Sequence, residues 1–370
     1  MKNLILIQKQ QAWCIAASKA VTPLIGELLS FRGYVMMSTD CKRWKFKDSV
    51  QVLTYTGHII IQYRKAIKLA HTSEIKEAVE RLITGCEKQE LSDLLGEEAG
   101  NQFFDALMKL DALIEPWQNG REGCITEKQL YHFEKYNQNP NLIQKRLDGS
   151  RAAIVGLGGV GTIILQNLLA AGMQHFILID FDAVSVHNLN RQFVYTQSSV
   201  GKLKISECRD YIAGINPHAD AALYHQEMTQ PQDLRVLDPY EIDIVINAAD
   251  KPHNISEWVY QYCKERNIAF MTGGVGSFSG QWGPLLTPES YQSGVTYEKN
   301  MPAGLLNCYP DEPIKGSLGA TNGIISSFMS HDIITYLAGG SPKSLNTRIG
   351  LDFDGLHITE TKLSQKESAL

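Results

Sequence analysis

The chain has 370 residues, of which 44% are apolar and 20% charged, and it carries a formal net charge of −5. That length suits two or three domains, and the acidic balance gives no electrostatic case for nucleic acid or an anionic membrane as the main partner. The seven cysteines, at positions 14, 41, 86, 124, 208, 263 and 308, include no Cys-x-x-Cys pair; no zinc is expected, and their odd number, with no secretory pattern at the start, points to a reducing cytoplasm.

Residues 1–48 read as an N-terminal extension, with patchy helical periodicity over Gln11–Leu29 broken at Pro23 and no assignable chemistry. From there the pattern sharpens. Val50 to Thr56 alternates apolar and polar residues, Gly57 and His58 follow, and Ile59 to Leu69 continues as a second, longer strand, so a hairpin is expected. Thr72 and Ser73 offer a helix cap ahead of the stripe Ile75, Val79, Leu82 and Ile83, and Gly85 stops that helix. A short helix near Glu90–Leu95 and a longer one from Glu97 to about Ile114, with Phe103, Leu107, Leu110 and Leu113 on one face, complete a winged-helix-like unit over 49–117. Residues 118–150, rich in Asn, Gln and Lys, read as a linker holding one helix near Pro140–Leu147.

From 151 to 370 the sequence alternates strand and helix. Strands are expected at Ala152–Val155, Phe176–Asp180, Ile242–Asn247 and Ala269–Thr272, with helices at Gly161–Gly172, Lys202–Ile215 and Ile255–Arg266. This βαβ rhythm predicts an α/β fold with a mostly parallel sheet. The most apolar stretch, Ala152 to Met173, contains a glycine cluster and the polar pair Gln166-Asn167, so it reads as strand, turn and buried helix rather than a membrane span.

Gly156-x-Gly158-Gly159-x-Gly161 follows a strand and opens a helix. Such glycines let phosphate oxygens reach backbone N–H groups at the helix start. Asp180, ending the next strand, is placed to accept from ribose hydroxyls. Alone this pattern says nucleotide and nothing finer, and an NAD-dependent oxidoreductase fits it. Fixed cations shift the balance: Arg191 and Lys204 suit the charge that develops when pyrophosphate leaves ATP. Asp250, just past the strand Ile242–Asn247, suits Mg²⁺ beside the phosphates.

The ordered set Gly156-x-Gly158-Gly159-x-Gly161, Asp180-x-Asp182, Asn188-Leu189-x-Arg191-Gln192, Val200-Gly201-x-x-Lys204, Asn216-Pro217 and Asp250 resembles the motif series of the E1-like (ThiF/MoeB) adenylating family. The resemblance implies a Rossmann-like adenylation domain, ATP and Mg²⁺ as cofactors, and a homodimer. It assigns ATP binding to the four glycines, Asp180, Asp182, Asn188, Arg191, Gln192 and Lys204, catalysis to Arg191, Lys204 and Asp250, and the metal to Asp250. Residues 141–147, Ala249-Asp250-x-Pro252-x-Asn254, Trp258-Val259-x-x-Tyr262-Cys263 and Ser344-Leu345-Asn346-x-Arg348-Ile349-Gly350 are similar to the family's peptide-modifying branch, whose members carry an N-terminal leader-peptide-binding domain. A precursor peptide is then the expected partner, activated on a carboxylate, and a glutamate crosslink is the reaction of a zinc-less member of that branch.

Two departures from the family are plain. Its paired zinc cysteines are missing, and so is its Arg-Tyr-x-Arg motif; Lys128 lies in roughly that place and would supply charge across the dimer without the bidentate fork of arginine. Peptide binding by strand addition is expected on the second hairpin strand, with Ile59, Ile61 and Tyr63 facing a groove walled by Phe103 and Leu107. A binding scaffold with a dead nucleotide site also stays open. Cys308, where E1 enzymes keep a thioester cysteine, and the isolated His225, His253 and His331 receive no role.

Overall fold

The computed structural model describes residues 14–15, 42–297 and 316–364. The chain divides into two units: residues up to 122 together with 127–141 form the first, and 123–126 together with 142 onward form the second.

In the first unit, β1 (Cys14–Ile15), β2 (Arg43–Phe46), β3 (Gln51–Tyr55), β4 (His58–Gln62) and β5 (Ala66–Ala70) precede α1 (Ser73–Thr84). Then come β6 (Cys86–Glu87), α2 (Lys88–Leu95), α3 (Glu97–Lys109), β7 (Leu113–Ile114) and α4 (Glu127–Phe133). One sheet has the order β1-β5-β4-β3, and β2 sits between β6 and β7 in a smaller one. Thr56 and Gly57 both have positive φ, which gives the β3–β4 turn the twist a two-residue hairpin needs. The expected cap of α1 is present, Thr72 Oγ1 accepting from the Ile75 amide at 3.2 Å. Ile75, Ala78, Val79 and Leu82 of α1 are buried, whereas Ile83 is exposed.

Three expectations are corrected. Ile59 to Leu69 is two strands, because Tyr63 N donates to Lys65 O at 2.8 Å and the chain folds back. The third helix ends at Lys109, since Leu113 and Ile114 pair with β2, which draws Arg43–Phe46 into this unit. Residues 118–150 are no linker. Leu130 and Phe133 of α4 are buried in a segment whose remaining residues are mostly polar, and 127–141 belong to the first unit.

The second unit begins within α5 (Pro140–Gly149) and continues through β8 (Arg151–Val155), α6 (Gly159–Ala170), β9 (His175–Ile179), α7 (Lys204–Ile215), β10 (Asp220–Tyr224), β11 (Ile244–Asn247), α8 (Ile255–Arg266), β12 (Ala269–Val275) and β13 (Ser279–Leu286). It is completed by α9 (Pro288–Gln292), α10 (Gly319–Leu337), β14 (Thr347–Asp352) and β15 (Ile358–Lys362). One eight-stranded sheet runs β10-β9-β8-β11-β12-β13-β14-β15, parallel as far as β12 and antiparallel beyond.

The central strands β8, β9 and β11 are buried on both faces, so they read as unbroken apolar runs. Ala152 and Ile154 face one core with Ile164, Leu168 and Met329; Ala153 and Val155 face the other with Val259 and Phe270. Strand order reverses between β8 and β11, and such a switch point opens a crevice at the carboxyl ends of the strands. Among the described residues no helix is long and apolar enough to cross a membrane.

Candidate nucleotide-binding site

The glycine cluster lies at that crevice, between the end of β8 and the start of α6. Its spacing follows from crowding. A Cβ on Gly161 would overlap the carbonyl oxygen of Gly156, and one on Gly159 would collide with Oδ1 of Asn322. Gly156 has φ +93° and lies so close to the loop after β11 that a Cβ there would meet the Ala249 nitrogen at 2.8 Å. No side chain caps the N-terminus of α6. The first amides of that helix therefore carry no side-chain cap and follow a run of glycines, the arrangement that accepts phosphate oxygens.

Asp180, nearly buried just past β9, accepts from the Leu157 amide at 2.6 Å and from the Asp182 amide at 2.8 Å. Burial pushes its carboxyl above the usual range, and Lys204 and these two donors pull it back. Lys204 is buried at the start of α7 and places Nζ 2.7 Å from Oδ2 of Asp182. Asn188 is buried and accepts from the Ser185 amide at 2.9 Å, so its oxygen shapes its own loop. Arg191 donates through Nη1 to His187 O and Asn190 Oδ1, both at 2.9 Å, and its Cδ packs beside Gly159. Gln192 is buried toward Gly158, and its Oε1 has no hydrogen-bond partner among the described residues.

Asp250 is exposed, one residue beyond the Ala248-Ala249 backbone that touches Gly156. Asn247, buried at the end of β11, holds that turn by donating to Ala249 O at 3.1 Å and Ser256 Oγ at 2.9 Å. A divalent hard cation fits this donor set. Asp250 offers one solvent-facing carboxylate, no group of three or more ligating side chains occurs among the described residues, and Mg²⁺ usually takes one or two carboxylates plus phosphate oxygens.

The crevice thus gathers the glycines, Asp180, Asp182, Asn188, Arg191, Gln192, Lys204 and the Asp250 turn in one unit. Lys128 lies in the other unit, 88% exposed and paired with Glu127 at 2.9 Å. Asn247, Asn322 and Tyr195, whose hydroxyl donates to Leu157 O at 3.0 Å, escaped the sequence reading. The signal for Asn247 was an amide closing an otherwise apolar strand, and Tyr195 and Asn322 gave none.

The expected peptide groove is corrected. Ile59, Ile61, Phe103 and Leu107 form the core of the first unit, Ile61 and Leu107 being 0% exposed. Tyr63 is half-buried, with Lys47 Nζ 5.1 Å from its ring. The physical reason is pairing: β4 lies between β3 and β5 and has no open edge. Among the described residues β3 is an edge strand with no partner on its outer side, and its five residues are all exposed, including Val52, Leu53 and Tyr55. Cys308 lies outside the described residues.

The family model described as the ThiF family matches residues 128–369, and the chain belongs to the ThiF family. The adenylyltransferase and sulfurtransferase MOCS3 of Culex quinquefasciatus is 28% identical over 251 residues, which are 64% of this chain and 54% of that protein. The chain thus spans about half the length of such relatives. Escherichia coli MccB, solved with ATP, is 22% identical with a TM-score of 0.75 over 88% of this chain and 98% of its own. MccB has also been solved in complex with N-formylated MccA. PaaA is 20% identical with a TM-score of 0.65 over 86% of this chain and 100% of its own. These two structures share the fold.

Proposed function

We propose that this chain is an ATP-dependent adenylating enzyme acting on a carboxylate of a precursor peptide. The observation that carries the reading is the uncapped, glycine-walled start of α6, framed by Arg191, by Asp180 and Lys204, and by the Asp250 turn at the reversal of strand order. A dinucleotide brings a diphosphate that such a helix start accommodates; a triphosphate that must release pyrophosphate also needs fixed cations. In the proposed reaction a peptide carboxylate oxygen attacks the α-phosphorus, the bond to the β-phosphate oxygen breaks, and pyrophosphate leaves. The acyl carbon then carries AMP, a far better leaving group than oxide. Arg191 and Lys204 balance the charge of the departing pyrophosphate, and Asp250 would hold Mg²⁺, which would neutralise the phosphates when bound.

The peptide reading rests on the family resemblance and gains support from MccB, a fold neighbour solved with MccA. We assign the peptide to the exposed edge of β3, where main-chain pairing gives affinity and Val52, Leu53 and Tyr55 offer apolar contact. The activated group is a glutamate side chain, and attack by a second group of the same peptide closes a crosslink. The enzyme works as a cytoplasmic homodimer in which Lys128 supplies charge to the partner's site, with no zinc. Exchange of labelled pyrophosphate into ATP, with synthetic acidic peptides present, tests the core of this reading. Peptide-dependent exchange is expected; nucleotide binding confined to NAD would overturn it.

A further inference from the structure

Leu157 sits between the first two glycines of the loop, and its peptide groups are gripped from both sides by buried side chains. Its amide donates to Asp180 Oδ2 at 2.6 Å, and its carbonyl accepts from the Tyr195 hydroxyl at 3.0 Å. Tyr195 is 5% exposed and packs in the core shared by β8 and α6. It also closes the turn after the phosphate-facing segment, its own amide donating to Gln192 O at 3.1 Å. One residue therefore joins the stretch bearing Arg191 and Gln192, through its backbone amide, to the glycine loop, through its hydroxyl.

We propose that Tyr195 is a positioning residue for the nucleotide, its hydroxyl fixing the pitch of the glycine loop and the spacing between that loop and Arg191. This rests on the adenylation reading for the identity of the ligand and on geometry for the hold itself. The alternative role, filling the core, needs only the ring. A phenylalanine would supply the same volume and leave the buried Leu157 carbonyl unpaired, so the two roles separate in one substitution. Burial also pushes the phenol far above its ordinary ionisation range, so the hydroxyl remains a donor at any working pH. Cys208 Sγ, fully buried, lies 3.5 Å from the phenol oxygen.

Tyr195→Phe is the test, read in three ways on the full chain. Amide hydrogen exchange over residues 157–161 should quicken, while exchange in α8 stays at the parent rate. The Kd and KM for ATP should rise roughly tenfold with kcat within about twofold, because a lost buried hydrogen bond is worth about that much. Peptide affinity should not move. Exchange and ATP affinity both unchanged in a folded variant would overturn the inference. If the parent itself binds no ATP, the adenylation reading and the nucleotide half of this inference fail together. The exchange measurement, which needs no ligand, still decides whether the hydroxyl holds the loop.

Discussion

Glu134 is a carboxylate with no exposed surface, accepting from the Asp48 amide and from Trp117 Nε1, both at 2.7 Å, with Lys45 Nζ at 3.8 Å. Burial dominates and pushes its pKa from an ordinary 4.5 up to about 7. A carboxyl whose folded pKa is raised favours folding most while protonated. Its contribution is therefore full below about pH 4.5 and is lost as pH rises through about 7. The thermal midpoint of the first unit should fall between pH 5 and pH 8 in the parent, and Glu134→Gln should remove that part of the slope. Equal slopes in both proteins would refute this. Asp250 is the opposite case, an exposed acid with a task. Asp250→Asn keeps its size and removes the charge a hard cation prefers, so Mg²⁺-dependent pyrophosphate release should drop by roughly tenfold or more while ATP still binds. Undiminished release would sink the metal assignment. The crevice glycines Gly156, Gly159 and Gly161 were legible in the sequence because crowding leaves room for nothing else, whereas the two backbone amides that Asp180 holds were not. Tyr195 was not, because a tyrosine after an apolar pair looks like core, and its hydroxyl acts on a residue 38 positions away.

At the scale of elements, the strand after the hairpin shows how alternation misleads. Ile59, Ile61, Ile67 and Leu69 are all buried, and all are odd-numbered. The turn at 63–65 takes three residues between the paired Gln62 and Ala66, so it leaves the inward phase unchanged on both sides. With no glycine or proline to mark it, period-two reasoning joins the two strands into one. The open edge then falls on β3 rather than on β4. Tyr55 and His58 flank the two-residue turn and form its hydrogen-bonded pair, so alternation places the Thr54 amide on the outer side of the hairpin. Thr54→Pro deletes that outward donor and spares the hairpin ladder. Peptide affinity should weaken by about tenfold, with ATP affinity unchanged. Parent-rate processing of full-length peptide by a folded Thr54→Pro protein would remove β3 from the reading. Strands β8, β9 and β11 and helix α8 were read to within two residues, since fully buried strands leave few alternatives, whereas the half-buried β10 and the last three residues of β12 were missed.

At the scale of the whole molecule, the proposed dimer has a direct test. Lys128→Ala and Arg191→Ala proteins, each inactive alone, should regain up to about a quarter of parental activity on mixing and exchange if Lys128 serves the partner's site. No recovery, or a monomer by sedimentation, would refute it. The architecture was legible wherever apolar period and glycine placement agreed. It was hidden over 118–139, where polar composition masks the buried anchors Leu130 and Phe133 of α4, while the helix expected near Pro140–Leu147 is present as α5. That segment also gives the molecule a constraint on its descent. The chain passes from one unit to the other at 122, returns at 126 and passes again at 141. The first unit is therefore not a cassette that recombination can lift out in one piece. A crossover at residue 117 would part Trp117 and Asp48 from Glu134, and joined to a half without that carboxylate they would leave an indole N–H and a backbone amide with no acceptor. If the β3 edge takes the peptide, point changes along its exposed residues would alter specificity while leaving the Glu134 contacts whole.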